Sequence, residues 1–183
     1  SLPRAKLVRN ASAHHKYFVN EEGKVVSRAH IEALHDLQDK EGIHLANKLR
    51  RTRIEGQKQP MKIRLAAQVM SLSVTTAIAE CRAMCLRRFI NSESTEEYLL
   101  TINNFFDILN SRSMHQGGWK KPVNEQNVND IKELFDSTIR YLSLLKEPAN
   151  RRHLIGTARK TGFLGFILCM KSLLAMYDFL ICK

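Results

Sequence analysis

The chain has few of the residues that break or cross-link a fold: its 183 residues include four Pro, eight Gly and four Cys. So little Pro and Gly excludes collagen-like and most disordered chains. Cys81, Cys85, Cys169 and Cys182 lie in apolar stretches without CxxC spacing. We therefore expect reduced core thiols, with a disulfide or a metal site as the less favoured alternatives. Reduced thiols indicate an intracellular protein. The length suits one domain with a substantial core.

Acidic residues are scarce beside basic ones, with 18 Asp and Glu against 29 Lys and Arg and a formal charge of +11. This excess favours a polyanionic partner, such as nucleic acid, nucleotide phosphate or an anionic membrane, without choosing among them. The simpler interpretation of the excess basic residues is ordinary surface charge exposed to solvent. Trp119, beside Lys120 and Lys121, is suited either to stack on a base or to cover the core.

A long uninterrupted apolar run is also missing. Residues 161–182 have the length of a membrane span, but Lys171 and Asp178 interrupt them on one helix face. We predict a buried core helix here, and no membrane partner. The first ten residues, SLPRAKLVRN, lack the apolar stretch of a secretory signal.

Catalytic motifs are absent from the sequence, which contains no GxSxG, no HExxH and no zinc spacing of Cys and His. The segment 156–162 misses the phosphate-loop pattern because Arg159 precedes Lys160 and no strand leads into it. Residues 47–50, NKLR, lack the Asp of the guanine-reading NKxD motif. We assign no catalytic residue and no metal ligand, so nucleotide binding would fall outside the usual GTPase scheme.

Apolar residues recur at helical spacing along most of the chain, which predicts an all-α domain of about six helices. A short extended segment at Val25 and Val26 precedes the first helix. The predicted helices are one after Ser27, a short one at 43–49, a long one from Pro60 to about Phe89, one capped by Ser94 or Thr95, one opened by Asn124 or Asn127, and one over 161–182.

Three stretches together carry a family resemblance. They are KIRLAAQVMS at 62–71, FFDILNSR at 105–112 and RKTGFLGFILCMKSLLAMYD at 159–178, with weaker likeness at 23–27 and 45–49. In this order and spacing the chain resembles the GTP-binding insertion domain of P-element-type transposases, the group that includes the THAP-domain transposases. The resemblance covers nearly the whole chain.

The resemblance implies a helical domain inserted into an RNase H-like catalytic domain. It implies GTP as a cofactor that is not hydrolysed and that helps organise the transposon DNA end. Residues 1–20 would be a remnant of the preceding RNase H-like segment with a lead-in, and residues 21–183 the insertion domain. The family also implies a nuclear protein whose partners are GTP, then DNA, and a parent transposase-like chain or oligomer.

Matched residue by residue, the resemblance implies seven nucleotide contacts: Lys48, Lys62, Ile63, Ser71, Asn103, Phe106 and Asp107. Asp107 is suited to accept hydrogen bonds from guanine N1–H and the exocyclic amine, the two lysines to meet phosphates, and Phe106 to stack or pack against the base. Each has a structural alternative: an ion pair of Asp107 with Arg112 or a Lys, a core position for Phe106, and a helix surface for Ser71.

Departures from the family pattern concern catalysis. Transposition by an RNase H-like domain needs acidic residues that hold two divalent metals. Ser1 stands roughly where the family has its second catalytic Asp, and the family's final Glu lies beyond Lys183. We therefore expect a GTP-binding module that cannot cut DNA as given: a fragment, a decayed copy or a domesticated remnant. The alternative is a basic module that has lost the nucleotide site and binds nucleic acid or protein.

Overall fold

A computed structural model describes residues 17–41, 69–111, 113–157 and 160–181. In these ranges the chain forms a two-stranded sheet, five α-helices and short 3₁₀ turns. The elements are β1 Tyr17–Val19, β2 Val25–Ser27, α1 Ala29–Glu41, α2 Leu72–Ala83, α3 Glu93–Leu109, α4 Val128–Leu144 and α5 Thr161–Ile181, with 3₁₀ turns at Arg87–Phe89, Gly118–Lys120 and Leu154–Gly156. The predicted mainly helical class is confirmed, with a helix count near six. The helix predicted at 43–49 lies outside the described residues.

The small sheet is an antiparallel hairpin in which Tyr17 faces Ser27 and Val19 faces Val25. Gly23 lies in the turn with φ 79°, a left-handed conformation that glycine adopts without steric cost. Val19 also exchanges two backbone hydrogen bonds, of 3.0 and 2.9 Å, with Lys146 beyond α4. The extended segment at Val25 is thus confirmed. The predicted boundary at 20/21 falls within this hairpin and stays a prediction.

The core is built around α3, which packs on α2, on β2 and on the 3₁₀ turn Gly118–Lys120. Phe105 is its centre, with ring centroids 4.6 Å from Phe166 on α5 and 5.8 Å from Phe135 on α4. Near the start of the same helix, Tyr98 meets Phe18 of the hairpin edge-on at 5.0 Å. These aromatic contacts fix α3 between the hairpin and the two C-terminal helices.

The prediction of one long helix from Pro60 to about Phe89 is wrong over residues 69–89, the part of this range that the structure describes. Ser71 is extended, with φ −92° and ψ 156°, and occupies the N-cap position of a helix that begins at Leu72. That helix ends at Ala83, because Cys85 takes a left-handed φ of 56°. The Leu86 N–H then donates to the Cys81 carbonyl, and the Cys85 N–H to the Arg82 carbonyl. This is a Schellman ending, which usually carries Gly where this chain has Cys85.

The start of α3 also differs from the sequence prediction, which placed its cap at Ser94 or Thr95. The cap is Ser92, and both predicted residues are buried in the first turn. Thr95 is used instead in a tertiary contact: its Oγ1 accepts the Ser27 N–H at 3.0 Å and lies 2.8 Å from Nδ1 of His30. A hydroxyl engaged in this way is not available to cap its own helix.

The apolar C-terminal helix contributes to the core through Phe163, Phe166 and Met170, all at most 1% exposed. Lys171 and Asp178 are exposed, and Asp178 pairs with Lys132 of α4 at 2.9 Å. The stretch Thr161–Phe179 is long and apolar enough to cross a membrane, and 44% of it is buried inside the fold. The predicted core helix accounts for that burial.

Candidate functional site

Asn103 bonds directly to one other predicted site residue and to the backbone beside another. It lies one helical turn before Asp107 on α3, and its Nδ2 donates to Asp107 Oδ2 at 3.1 Å. Its Oδ1 accepts the backbone N–H of Leu72 at 3.1 Å, directly after Ser71. The amide is 8% exposed and is used at both ends. Asn103 thus links Asp107 to the start of α2, one residue after Ser71, and we call Ser71, Asn103 and Asp107 the polar row.

Asn103 also supplies the cap that α2 does not make for itself. The first N–H groups of a helix have no partner within the helix, and the Ser71 side chain forms no capping hydrogen bond to its own helix. Ser71 Oγ lies 3.0 Å from Ser73 Oγ, while its carbonyl accepts from the N–H of Val74. The helix start is thus oriented from α3, which fixes where Ser71 lies relative to Asp107.

A second contact fixes the other end of the α2–α3 pair. Arg82 near the end of α2 donates from Nε and Nη2 to the two carboxylate oxygens of Glu96, at 2.8 and 3.0 Å. Ser92 Oγ donates to the same carboxylate at 2.6 Å. Burial raises the pKa of Glu96, but the hydrogen bonds from Arg82 and Ser92 and the charge of Arg82 lower that pKa overall. The two helices run antiparallel, with one polar contact at each end.

Asp107 keeps part of its hydrogen-bonding capacity. Its side chain is 25% exposed, and its Oδ1 lies 4.0 Å from Nζ of Lys120. An ion pair at that distance, with Lys120 half exposed, is weak. A carboxylate has about four lone-pair sites, so it can accept further donors besides Asn103. Of the predicted alternative partners, a Lys is thus a neighbour, while Arg112 lies outside the described residues.

Phe106 is placed in the core. It is 7% exposed and meets Phe166 edge-on at 5.7 Å, with Phe105 at 6.4 Å. This position matches the alternative of a core aromatic residue. Packing or stacking of Phe106 against a base stays a prediction.

Lys48, Lys62 and Ile63 lie outside the described residues, so the structure does not place the two predicted phosphate-binding lysines. One neighbour that the sequence analysis did not assign to the site is Lys120, which follows Asp107 by thirteen residues. It is positioned by the 3₁₀ turn, where Trp119 packs partly buried against the core. Of the two roles predicted for Trp119, covering the core is the one observed. No local pattern links Lys120 to Asp107.

Comparison with known proteins defines the class. Residues 4–122 match the family model described as the TNP-like, GTP-binding insertion domain. Because that match spans more than half of the chain, the chain belongs to this family.

One relative is the human DNA transposase THAP9, to which this chain is 32% identical over 118 residues. The match covers 64% of this chain and 13% of the relative. Among solved structures, the Drosophila P element transposase strand transfer complex has the same fold, with a TM-score of 0.72 at 19% identity over 96% of this chain and 38% of that chain. The chain thus corresponds to a P-element-type insertion domain and spans a minor part of the transposases it matches.

Proposed function

We propose that this chain binds GTP through the polar row of Ser71, Asn103 and Asp107, and that Asp107 recognises the guanine base. The observation that supports this most is the state of Asp107. Its carboxylate interrupts an apolar helix, is oriented by Asn103 at 3.1 Å, and still has oxygen lone pairs open to donors. Guanine presents N1–H and an exocyclic amine side by side, whereas adenine presents an unprotonated ring nitrogen at the corresponding edge.

The described residues fit a guanine nucleotide in three respects. The carboxylate is partly shielded from water, which strengthens a hydrogen bond between charged and neutral groups. Asn103 holds it through an amide that has no free rotation left, since both its ends are bonded. The chain carries a charge of +11 for the phosphates, and Lys48 and Lys62 are the lysines we propose to contact them. Bound GTP would supply a fixed polyanion at the protein surface.

We further propose that GTP is not hydrolysed here and acts as a cofactor for handling transposon DNA in the nucleus. The family to which the chain belongs is an insertion domain and not the catalytic domain itself. We therefore propose that the chain alone does not cut DNA. Nicking of a transposon-end duplex by this chain with Mg²⁺ would overturn that part.

Isothermal titration calorimetry tests the nucleotide proposal directly. We expect saturable GTP binding, and ATP binding at least about tenfold weaker. Asp107→Ala should weaken GTP about 10- to 100-fold, because hydrogen bonds to a charged group are worth about 1.5–3 kcal/mol. Lys62→Ala should weaken GTP and ATP alike. Asp130→Ala, an exposed carboxylate in the first turn of α4, is the matched control.

The outcomes separate binding from folding. If Asp107→Ala lowered the melting temperature and left the GTP to ATP ratio unchanged, Asp107 would be structural and the proposal would fail. Equal affinity of the unmodified chain for GTP and ATP would refute it as well.

The second candidate is a basic module that binds nucleic acid without a nucleotide, favoured by the charge of +11. It predicts duplex binding that weakens steeply between about 50 and 200 mM salt and is unaffected by GTP. Fluorescence anisotropy of a labelled duplex, with and without GTP, distinguishes it from the first candidate.

A further inference from the structure

A cleft of about 570 Å³ opens between the hairpin turn, the start of α3 and the outer face of α4. It lies away from Asp107, since Glu97 in its wall precedes Asp107 by ten residues, or about 15 Å along the helix. The lining residues that matter here are polar or charged: Asn20, Glu97, Glu133, Asp136, Arg140 and Tyr141.

The charge of the cleft is opposite to that of the chain. Five carboxylates line it, including Glu21 and Glu22 of the turn, against the guanidinium of Arg140. Glu22 pairs with Lys24 at 2.7 Å. Within the described residues, Glu97, Glu133 and Asp136 form no ion pair or side-chain hydrogen bond, although the chain carries a net charge of +11. Nucleic acid is repelled from such a surface.

Within the described residues, one buried side-chain atom has no hydrogen-bond partner, the hydroxyl of Tyr141, and it belongs to the cleft wall beside the partly engaged amide of Asn20. Asn20 is 6% exposed; its amide oxygen accepts the Lys24 N–H at 2.9 Å, and its amide nitrogen donates to no described residue. The hydroxyl of Tyr141 is buried and has no hydrogen-bond partner in the described part of the chain. Burial, and next the charge of Glu97, raise the pKa of Tyr141, so this hydroxyl stays protonated. Buried polar groups are normally satisfied, so the Tyr141 hydroxyl points to an external partner.

The chemistry of these groups selects the ligand. The unpaired carboxylates are suited to bind a cation. The Asn20 amide and the Tyr141 hydroxyl are suited to donate hydrogen bonds to a carbonyl oxygen. A bound metal ion does not fit, because the described residues contain no group of three or more His, Cys, Asp or Glu arranged to hold one. A peptide combines a cationic side chain with backbone carbonyls. We propose that this cleft docks an Arg- or Lys-containing peptide segment of a partner protein, with its cation facing Glu133 and Asp136.

The test uses the full chain and a fluorescein-labelled peptide, acetyl-Gly-Arg-Lys-Arg-Gly-amide, measured by fluorescence anisotropy at about 150 mM salt. The double variant Glu133→Gln/Asp136→Asn should weaken binding about fivefold or more, because two ion pairs are lost. The matched control, Glu125→Gln/Asp130→Asn, removes the same charge outside the cleft and should change binding less than about twofold. Equal effects of the two double variants would mean diffuse attraction and would overturn the proposal.

Tyr141→Phe tests the buried hydroxyl separately from folding. We expect weaker peptide binding with an unchanged or higher melting temperature, since the variant removes a polar atom that the protein itself does not satisfy. A lower melting temperature with unchanged peptide affinity would make the hydroxyl structural and contradict the proposal.

Two further outcomes would replace the peptide with another occupant. Spermine competing as well as the peptide would indicate a polyamine, and a dimer abolished only by the cleft variants would indicate a second copy of the chain. The cleft variants should bind GTP with unchanged affinity, because the cleft lies away from Asp107. Failure of the peptide proposal is therefore distinguishable from failure of nucleotide binding.

Discussion

Replacing Asn103 by Ala tests the contact that places the site. The variant removes the acceptor of the Leu72 N–H and the donor to Asp107 in one step. Leu72 is half exposed, so water can take over part of the lost hydrogen bond. The expected loss is therefore that of a helix cap, about 1 kcal/mol in the free energy of unfolding.

The assay is urea unfolding followed by circular dichroism, with Asn104→Ala as the matched control. Asn104 is the adjacent residue of the same helix, is half-buried, and forms no side-chain hydrogen bond within the described residues. Its replacement should change stability by less than about 0.5 kcal/mol, since Ala also has the better helix propensity. Equal stability of the two variants would refute the capping role of Asn103.

Asn103→Asp separates the two hydrogen bonds. The new carboxylate can still accept the Leu72 N–H, but it cannot donate to Asp107 and adds a like charge one turn away. Repulsion raises the pKa of this pair above the unfolded values. The variant should therefore be destabilised at neutral pH and recover as pH falls below about 4. A stability difference from the unmodified chain that does not vary with pH would contradict this explanation.

Three further predictions concern the scaffold. Cys85→Gly should raise the free energy of unfolding by about 1 kcal/mol by relieving the left-handed conformation, whereas Cys85→Ala should give no gain in a urea titration. Burial lowers the pKa of His30, so the free energy of unfolding should fall as pH drops from about 7 through 6.5. Urea unfolding at several pH values should show a smaller loss in His30→Gln. The loss should remain in the exposed control His115→Gln. Because the pKa of Glu96 is lowered, its ionised carboxylate stabilises the fold above about pH 4.5, and this stabilisation is lost below that pH. Glu96→Gln should therefore reduce the fall in melting temperature on acidification. An unchanged fall would exclude a role for the Arg82 contact.

Helix periodicity was sufficient to predict most of the fold. The spacing of Val128, Ile131, Phe135 and Leu142 predicts α4, and all four are buried on its inner face. The end of α2 could not be predicted in this way, because the left-handed residue is Cys85 and not the Gly that usually marks a helix end. Sequence pattern alone does not reveal that a non-glycine residue is held at φ 56° by its surroundings.

Contacts between residues that are distant in the sequence were the other feature that could not be predicted. Each strand of the hairpin has three residues, too few to show alternation, and Val19 is bonded to Lys146 across most of the chain. The same limit applies to the site. The spacing of Asn103 and Asp107 predicts that they are neighbours, but the contact of Asn103 with Leu72 and the approach of Lys120 depend on tertiary packing. The described structure brings three of the seven predicted site residues into one row.

The most direct measurement of the central claim compares GTP with ITP, which lacks the exocyclic amine, in the unmodified chain and in Asp107→Ala. If Asp107 accepts from that amine, GTP should bind the unmodified chain about tenfold more tightly than ITP. In Asp107→Ala the two nucleotides should bind equally. The same GTP to ITP ratio in both proteins would show that Asp107 does not contact the base and would contradict the proposed guanine recognition.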